Sequence, residues 1–356
     1  MDFVYKFPVV KGVQAGREYY IAMVPLKMIA RLFPGEDEYV PPEYRAQRKL
    51  NEARVPVISK YILDNRDTYV FSALAASIDG KFTFKPDHKD SNTGMLEVSM
   101  DARFLINDGQ HRKAAIMDAV QNDETLGDET ISIVFYEDKG LSRSQQIFTD
   151  LNKNAVKTSN SISELYDSRD SLAVMTRNAI MNNEFLNAYT DKEKDILGKY
   201  SSNLFTLNTF YTANRYIYGT RNVDNEDRAM KFLEKYWNLV VQNMVQWNEL
   251  QNKEISKVDL RENYIATQGV VIQALGKLGN YFYEHPDFDM REYLPKLKEM
   301  NWKRSASVWS GRAIRDNGRI ITNKRAVVLI TNTIKKAMHI PLSEEENIVE
   351  TKYKTH

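Results

Sequence analysis

Cysteine is absent from the 356 residues, and with it go disulfides, iron–sulfur ligation and thiol nucleophiles. Histidine is scarce. His88, His111, His285, His339 and His356 stand far apart, with neither a cysteine nor a second histidine nearby, which argues against a built-in zinc site. Magnesium carried in with a nucleotide is a separate matter, since it needs only one or two carboxylates and phosphate oxygens. No apolar run approaches the ~20 residues needed to cross a bilayer, and no basic start followed by an apolar run precedes Lys27. A soluble, cytoplasmic protein is expected. The formal net charge is only +1, so a nucleic-acid surface would have to be a local patch. The phosphate loop GxxxxGK[ST] and the nucleophile elbow GxSxG are both missing.

The chain is long enough to bury a large core, and its two halves read differently. In the first half, residues 3–10, 19–24, 70–76 and 131–136 have the apolar alternation or continuity of strands. Residues 25–33 and the stretch opened by Pro56 have helical spacing. Residues 80–100 read as a hairpin-like excursion, residues 43–52 have helical composition, and Ser142 opens a helix running to Leu151. From Ser161 onward the pattern is helical: 162–182, 208–218, 225–250, 259–282 and 323–338 carry apolar periodicity with few breakers. The boundary is set near residue 160, giving an α/β domain over 1–160 and a helical domain over 161–356.

The most informative stretch is Arg103–Ile116, where an apolar strand runs into the polar turn Asp108-Gly109-Gln110-His111-Arg112 and then a helix. Unpaired N–H groups and the positive end of the helix dipole favour an anion at such a turn. Gly109 lets the backbone come close to a ligand, and Arg112 offers a planar donor fork suited to phosphate. For catalysis, Asp108 would accept from a ribose hydroxyl or hold a metal, and Gln110 would orient a water or phosphate. His111 has the pKa range for acid–base work, and Arg112 would neutralise charge developing in phosphoryl transfer. The plainer alternative is that Asp108 caps the helix, Gly109 makes the turn and Arg112 pairs with an acid. Gln145 and Asn152, seven apart on the expected helix with Phe148 between them, would reach one ligand together, and Lys153 is a weaker phosphate contact. Arg45, Gln47 and Arg48 form a further polar cluster, able to close over a nucleotide, to touch a DNA phosphate or to lie on a solvated helix face.

A DNA-facing surface is expected elsewhere. Between residues 303 and 325, seven basic residues (Lys303, Arg304, Arg312, Arg315, Arg319, Lys324 and Arg325) stand against the single acid Asp316, a local charge of +6. Trp302 and Trp309 are interleaved with them, and Gly311 and Gly318 loosen the chain, as in a loop that grips a phosphate backbone. A solvated basic loop is the competing reading. Residues 204–218, with Asn214 and Arg215, are conceivable as a helix-turn-helix, though no set of base-reading side chains stands out.

Asp108-Gly109-Gln110-His111-Arg112 resembles the signature of the DGQHR-domain family, best known from the DndB proteins of DNA phosphorothioate modification systems. Phe7-Pro8, the run from Gln14 to Tyr20, Arg45-Ala46-Gln47-Arg48 with Asn51, and Tyr61 to Asn65 resemble that family in the same order. So do Tyr69 to Leu74, Phe148 to Lys153, Leu204 to Leu207 and Trp309-Ser310-Gly311-Arg312. The resemblance implies an α+β protein: a ParB- or sulfiredoxin-like mixed α/β core followed by an all-α domain. It also implies a DNA-binding regulator, a repressor at the promoter of a phosphorothioate modification cluster, whose partners are double-stranded DNA and other modification proteins. Arg48, Gly109, Gln145 and Asn152 would line a nucleotide pocket. The enzymatic alternative is a nucleoside triphosphatase using ATP or another NTP with magnesium, and a scaffold for the modification proteins is a third. Without cysteine the chain would not itself insert sulfur. Self-association is left open.

Overall fold

The computed structural model describes residues 3–34, 50–137, 146–147, 150–151, 158–198, 200–219, 223 and 225–354. It divides into two compact units, Met1–Val156 and Lys157–His356. Arg45, Gln47, Arg48, Gln145, Phe148, Asn152 and Lys153 lie outside the described residues.

The first unit contains β1 (Val4–Gln14), β2 (Arg17–Pro25), α1 (Leu26–Leu32), α2 (Val55–Asp64), β3 (Leu74–Asp79), β4 (Phe82–Pro86), β5 (Thr93–Ser99), β6 (Arg103–Asp108), α3 (Gln110–Asn122) and β7 (Thr130–Glu137). The seven strands form one sheet in the order β4-β5-β1-β2-β7-β3-β6. Every neighbouring pair is antiparallel except β3 with β7. β1 and β2 run longer than the apolar alternation indicated, because Ala15 (φ 49°) and Gly16 (φ 72°) close a two-residue hairpin that pairs Gln14 with Arg17. Two successive positive φ values match the twist of the flanking strands.

Alternation sets the buried face. Tyr20, Ala22 and Val24 of β2 and Ile131, Ile133 and Phe135 of β7 point into the core. Phe135 lies at its centre, with its ring centroid 5.5 Å from those of both Phe7 and Phe104. Fully burying one such ring stabilises by about 1.5–3 kcal/mol. β3 differs from the expected strand over 70–76. It begins only at Leu74, and its first five residues are all buried, as befits a strand between β7 and β6. Residues 70–73 instead form a connector: the Val70 N–H donates to the Tyr61 hydroxyl, and the Phe71 ring packs against Tyr61 and Tyr69.

The second unit is built from α4 (Asn160–Tyr166), α5 (Ser171–Met181), α6 (Glu184–Tyr189), α7 (Leu207–Tyr218), α8 (Glu226–Asn243), α9 (Val245–Gln251), α10 (Lys257–Asn263), α11 (Gly269–Glu284), α12 (Met290–Tyr293), α13 (Lys324–Ala337) and α14 (Glu344–Lys354). Three of the long helices expected from periodicity are interrupted. The 162–182 stretch breaks after Tyr166, and Asp170 caps α5 by accepting from the Ala173 N–H. The 225–250 stretch breaks at Met244, whose backbone is extended (φ −91°, ψ 97°), and the 259–282 stretch breaks between α10 and α11. Trp237, Trp247, Phe205 and Phe210 fill the core around α7. α7 and α11 approach closely at Gly276, where a Cβ would come within 2.2 Å of the Ala213 carbonyl oxygen. Asn214 is buried, donates to the Thr176 hydroxyl (2.9 Å) and accepts from the Trp237 indole N–H (2.9 Å). Asn214 is thus committed to the core and is not free to read a base, whereas Arg215 on the same helix is exposed.

With a predominantly antiparallel sheet in the first unit and helices throughout the second, the chain is α+β.

Candidate functional site

The described residues among the sequence-predicted site fall in two clusters, one in each unit. In the first, β6 ends at Asp108 and α3 begins at Gln110. Between them Gly109 has φ 95° and ψ 17°, and no side chain caps the helix. Only glycine fits there. The positive φ disfavours a Cβ, and a Cβ would stand 2.4 Å from Leu74 Cδ2 on β3. Among the described residues no side chain accepts from α3's first-turn N–H groups.

The arginine is not available. Arg112 Nη2 donates to Asp108 Oδ2 at 2.6 Å, four residues back. Its Nη1 donates to the carbonyls of Ser72 (2.7 Å) and Ala73 (2.9 Å) and to the Ser72 hydroxyl. The guanidinium therefore clasps the connector that leads into β3, satisfying carbonyls that precede the strand's own ladder. This departs from the expectation of a free phosphate fork. It also shows Asp108 paired with Arg112 rather than capping α3. His111 Nε2 accepts the Asn51 N–H at 3.1 Å, so Nε2 carries no proton in this arrangement. Burial, with the Arg54 guanidinium nearby, holds the imidazole below its ordinary pKa. Gln110 is half-buried beside it. By themselves these residues do not fit a triphosphate: they offer backbone N–H groups, a neutral imidazole and an arginine already neutralised by Asp108. Among the described residues no group of three or more His, Asp or Glu side chains could hold a metal ion.

The second cluster is the basic segment 303–325. Its tryptophans do not interleave with bases. Trp302 and Trp309 stack on each other (centroids 5.3 Å, planes 19° apart) and are 1% and 0% exposed. Their indole N–H groups donate to the carbonyls of Leu297 and Asn301. Large rings at this spacing anchor the segment to the core. Arg304 is likewise turned inward, donating to the Arg261 carbonyl at 3.0 Å. Arg312 forms a two-pronged ion pair with Glu350 of α14 (2.9 and 2.6 Å) and lies over the Tyr353 ring at 4.2 Å. The other five cations, Lys303, Arg315, Arg319, Lys324 and Arg325, are exposed, and none forms an ion pair among the described residues. Arg315 and Arg319 flank a tight turn in which the Arg315 N–H donates to the Arg319 carbonyl (2.9 Å), with Gly318 at φ 76°. A cleft of about 700 Å³ opens beside this turn, lined by Arg312, Arg315, Asp316, Arg325 and Tyr353 among others.

A family model described as DndB, DNA-sulfur modification-associated, matches residues 7–341. The chain belongs to the DndB family. That match spans the turn at Asp108–Arg112 and the whole basic segment, and it stops short of α14. DNA sulfur modification is therefore the process this DndB-family chain is associated with. Searches of the curated proteins and of the solved structures found no match. Among the described residues no helix is long and apolar enough to cross a membrane.

Sequence reasoning missed α14, whose Glu346 and Glu350 meet the basic segment and α13. Residues 344–354 lack an apolar stripe. The available signal was charge spacing: glutamates at 346 and 350 share one helical face, opposite Lys335 and Lys336.

Proposed function

We propose that this chain is a DNA-binding regulator, a repressor at the promoter of a phosphorothioate modification gene cluster. The observation that carries this is the family match over residues 7–341, which ties the chain to DNA sulfur modification. The charge distribution supports contact with DNA: five exposed cations, Lys303, Arg315, Arg319, Lys324 and Arg325, fall within one 23-residue segment of a chain whose net charge is only +1, and two of them, Arg315 and Arg325, line one cleft. Such a patch acts by replacing counterions condensed on the phosphate backbone. Sequence preference would then need base or shape contacts beyond these. The proposal places the protein in the cytoplasm, with double-stranded DNA and the modification proteins as partners.

The test is a gel-shift titration of the cluster's promoter against random duplex at several salt concentrations. Tighter binding to the promoter, with affinity falling as salt rises, is expected. Equal affinity for both duplexes would contradict a specific regulator. The nucleoside-triphosphatase alternative draws no comparable support from the turn, where Arg112 and Asp108 neutralise each other.

A further inference from the structure

α14 is attached in an unusual way. A helix packed on a protein surface ordinarily buries an apolar stripe. The buried residues of α14 are instead Glu346 and Glu350, one turn apart, while Ile348 is 49% exposed. Both carboxylates end on cations. Glu346 accepts from Lys335 (3.0 and 2.8 Å) and from the Ser343 N–H, with Lys277 at 3.7 Å. Glu350 accepts from both Nη atoms of Arg312, from Lys336 and from Asn332 (3.2 Å). The Arg312 guanidinium beside Glu350 holds that carboxyl well below its ordinary range, at about 2. The seam is not perfectly matched, because the Asn332 side-chain oxygen is buried there without a hydrogen-bond partner.

One of the cations under α14 adjoins the exposed basic surface. Arg312 lines the same cleft as Arg315 and Arg325, and Tyr353 of α14 forms part of its wall. Arg312, Lys335 and Lys336 lie within residues 7–341 matched by the family model, whereas α14 lies outside them. A carboxylate held by two parallel N–H bonds from one guanidinium occupies the position a phosphate would take in the same fork.

We propose that α14 is a displaceable acidic strap: Glu346 and Glu350 occupy Arg312, Lys335 and Lys336 in the free protein, and the phosphates of bound duplex DNA replace them. This rests on the DNA-binding function proposed above and adds its regulation. The free protein presents five exposed cations in the 303–325 segment, and displacement of α14 releases Arg312, Lys335 and Lys336 from their carboxylates. DNA binding and α14 docking are then competing equilibria, so weakening one strengthens the other.

The test uses the full-length chain and fluorescence anisotropy with a labelled promoter duplex over a salt series. In Glu346→Gln/Glu350→Gln the affinity is expected to rise at least about fivefold. The slope of log K against log salt should steepen, because the variant no longer has ion pairs under α14 that rising salt helps to break. The control is Glu344→Gln/Glu345→Gln, which removes the same charge from exposed positions of the same helix and should leave the slope unchanged. A second measurement does not depend on how well the variants fold: in the wild-type chain, amide hydrogens of residues 344–354 should lose protection from exchange when duplex is added. DNA binding with unchanged slopes and unchanged protection would overturn the strap alone, leaving α14 as a brace. No DNA binding by any of the chains would overturn the strap and the regulator together.

Discussion

Replacing Gly109 by alanine perturbs one backbone position in two independent ways. The residue sits at φ 95°, and its new methyl would stand 2.4 Å from Leu74 Cδ2, in a side chain with no exposed surface on β3. Holding a non-glycine residue in that region costs roughly 1–3 kcal/mol. Forcing a methyl into a filled core costs roughly another 1–3 kcal/mol, because Leu74 must leave its rotamer or the strand must shift. Gly109→Ala is therefore expected to destabilise the chain by about 2–6 kcal/mol, a drop in melting temperature of roughly 4–24 °C. Circular dichroism on heating, with urea unfolding to separate a change in midpoint from a change in slope, reads this out. Leu74→Ala in the Gly109→Ala background removes the clash while leaving the backbone strain, so the double variant should be less destabilised than the sum of the two by about 1 kcal/mol or more. A loss below about 0.5 kcal/mol for Gly109→Ala would refute this description of the turn.

Arg112→Ala should cost about 1–3 kcal/mol, since it leaves the half-exposed Asp108 without its partner and the Ser72 and Ala73 carbonyls without their side-chain donor. Arg112→Lys should rescue little of this, because one ammonium cannot span both groups; full rescue in thermal unfolding would show that charge alone matters there. Trp309→Ala should lose about 3–5 kcal/mol, because the ring is fully buried against Trp302; a nearly neutral effect in denaturant unfolding would return Trp309 to the role of an exposed platform. Glu350 has a folded-state pKa of about 2 against an ordinary 4.5, chiefly through Arg312, so its contribution is fully present above pH 4.5 and declines as pH falls toward 2. The protection factors of residues 344–354, taken relative to the intrinsic exchange rate at each pH, should fall over that window, and protection factors independent of pH would contradict the ion-paired attachment of α14.

Some of this was legible in the sequence for definite reasons. Strands β2 and β7 each bury one face, so their apolar alternation reports them directly. The turn at Asp108–Arg112 was visible as a change of pattern from strand to helix, and the glycine in it is required by the geometry. The partners of Arg112 were not visible, because Ser72 and Ala73 lie about 40 residues earlier and contribute backbone carbonyls, which carry no signature of residue type. The break at Met244 was hidden because residues on both sides of it keep facing the core, as Val240, Val241 and Trp247 do, so periodicity runs straight through a single extended residue. The basic segment was visible as charge density, but density does not tell an exposed cation from a committed one. Arg312 and Arg315 look alike in sequence, and only the fold gives Arg312 its partner Glu350, 38 positions later. α14 escaped notice because the residues it buries are acidic, and a search for apolar stripes passes over such a helix.

The proposal that this DndB-family chain regulates by binding DNA is tested most directly by a salt titration on two duplexes, the modification-cluster promoter and a random sequence of equal length. With at least the five exposed cations at 303–325 engaged, log K should fall against log salt with a slope of about −4 or steeper. Arg315→Ala and Arg319→Ala should each flatten that slope by about one unit on both duplexes, while the promoter stays the tighter ligand throughout. Equal affinity for the two duplexes, or a slope that neither substitution changes, would contradict it.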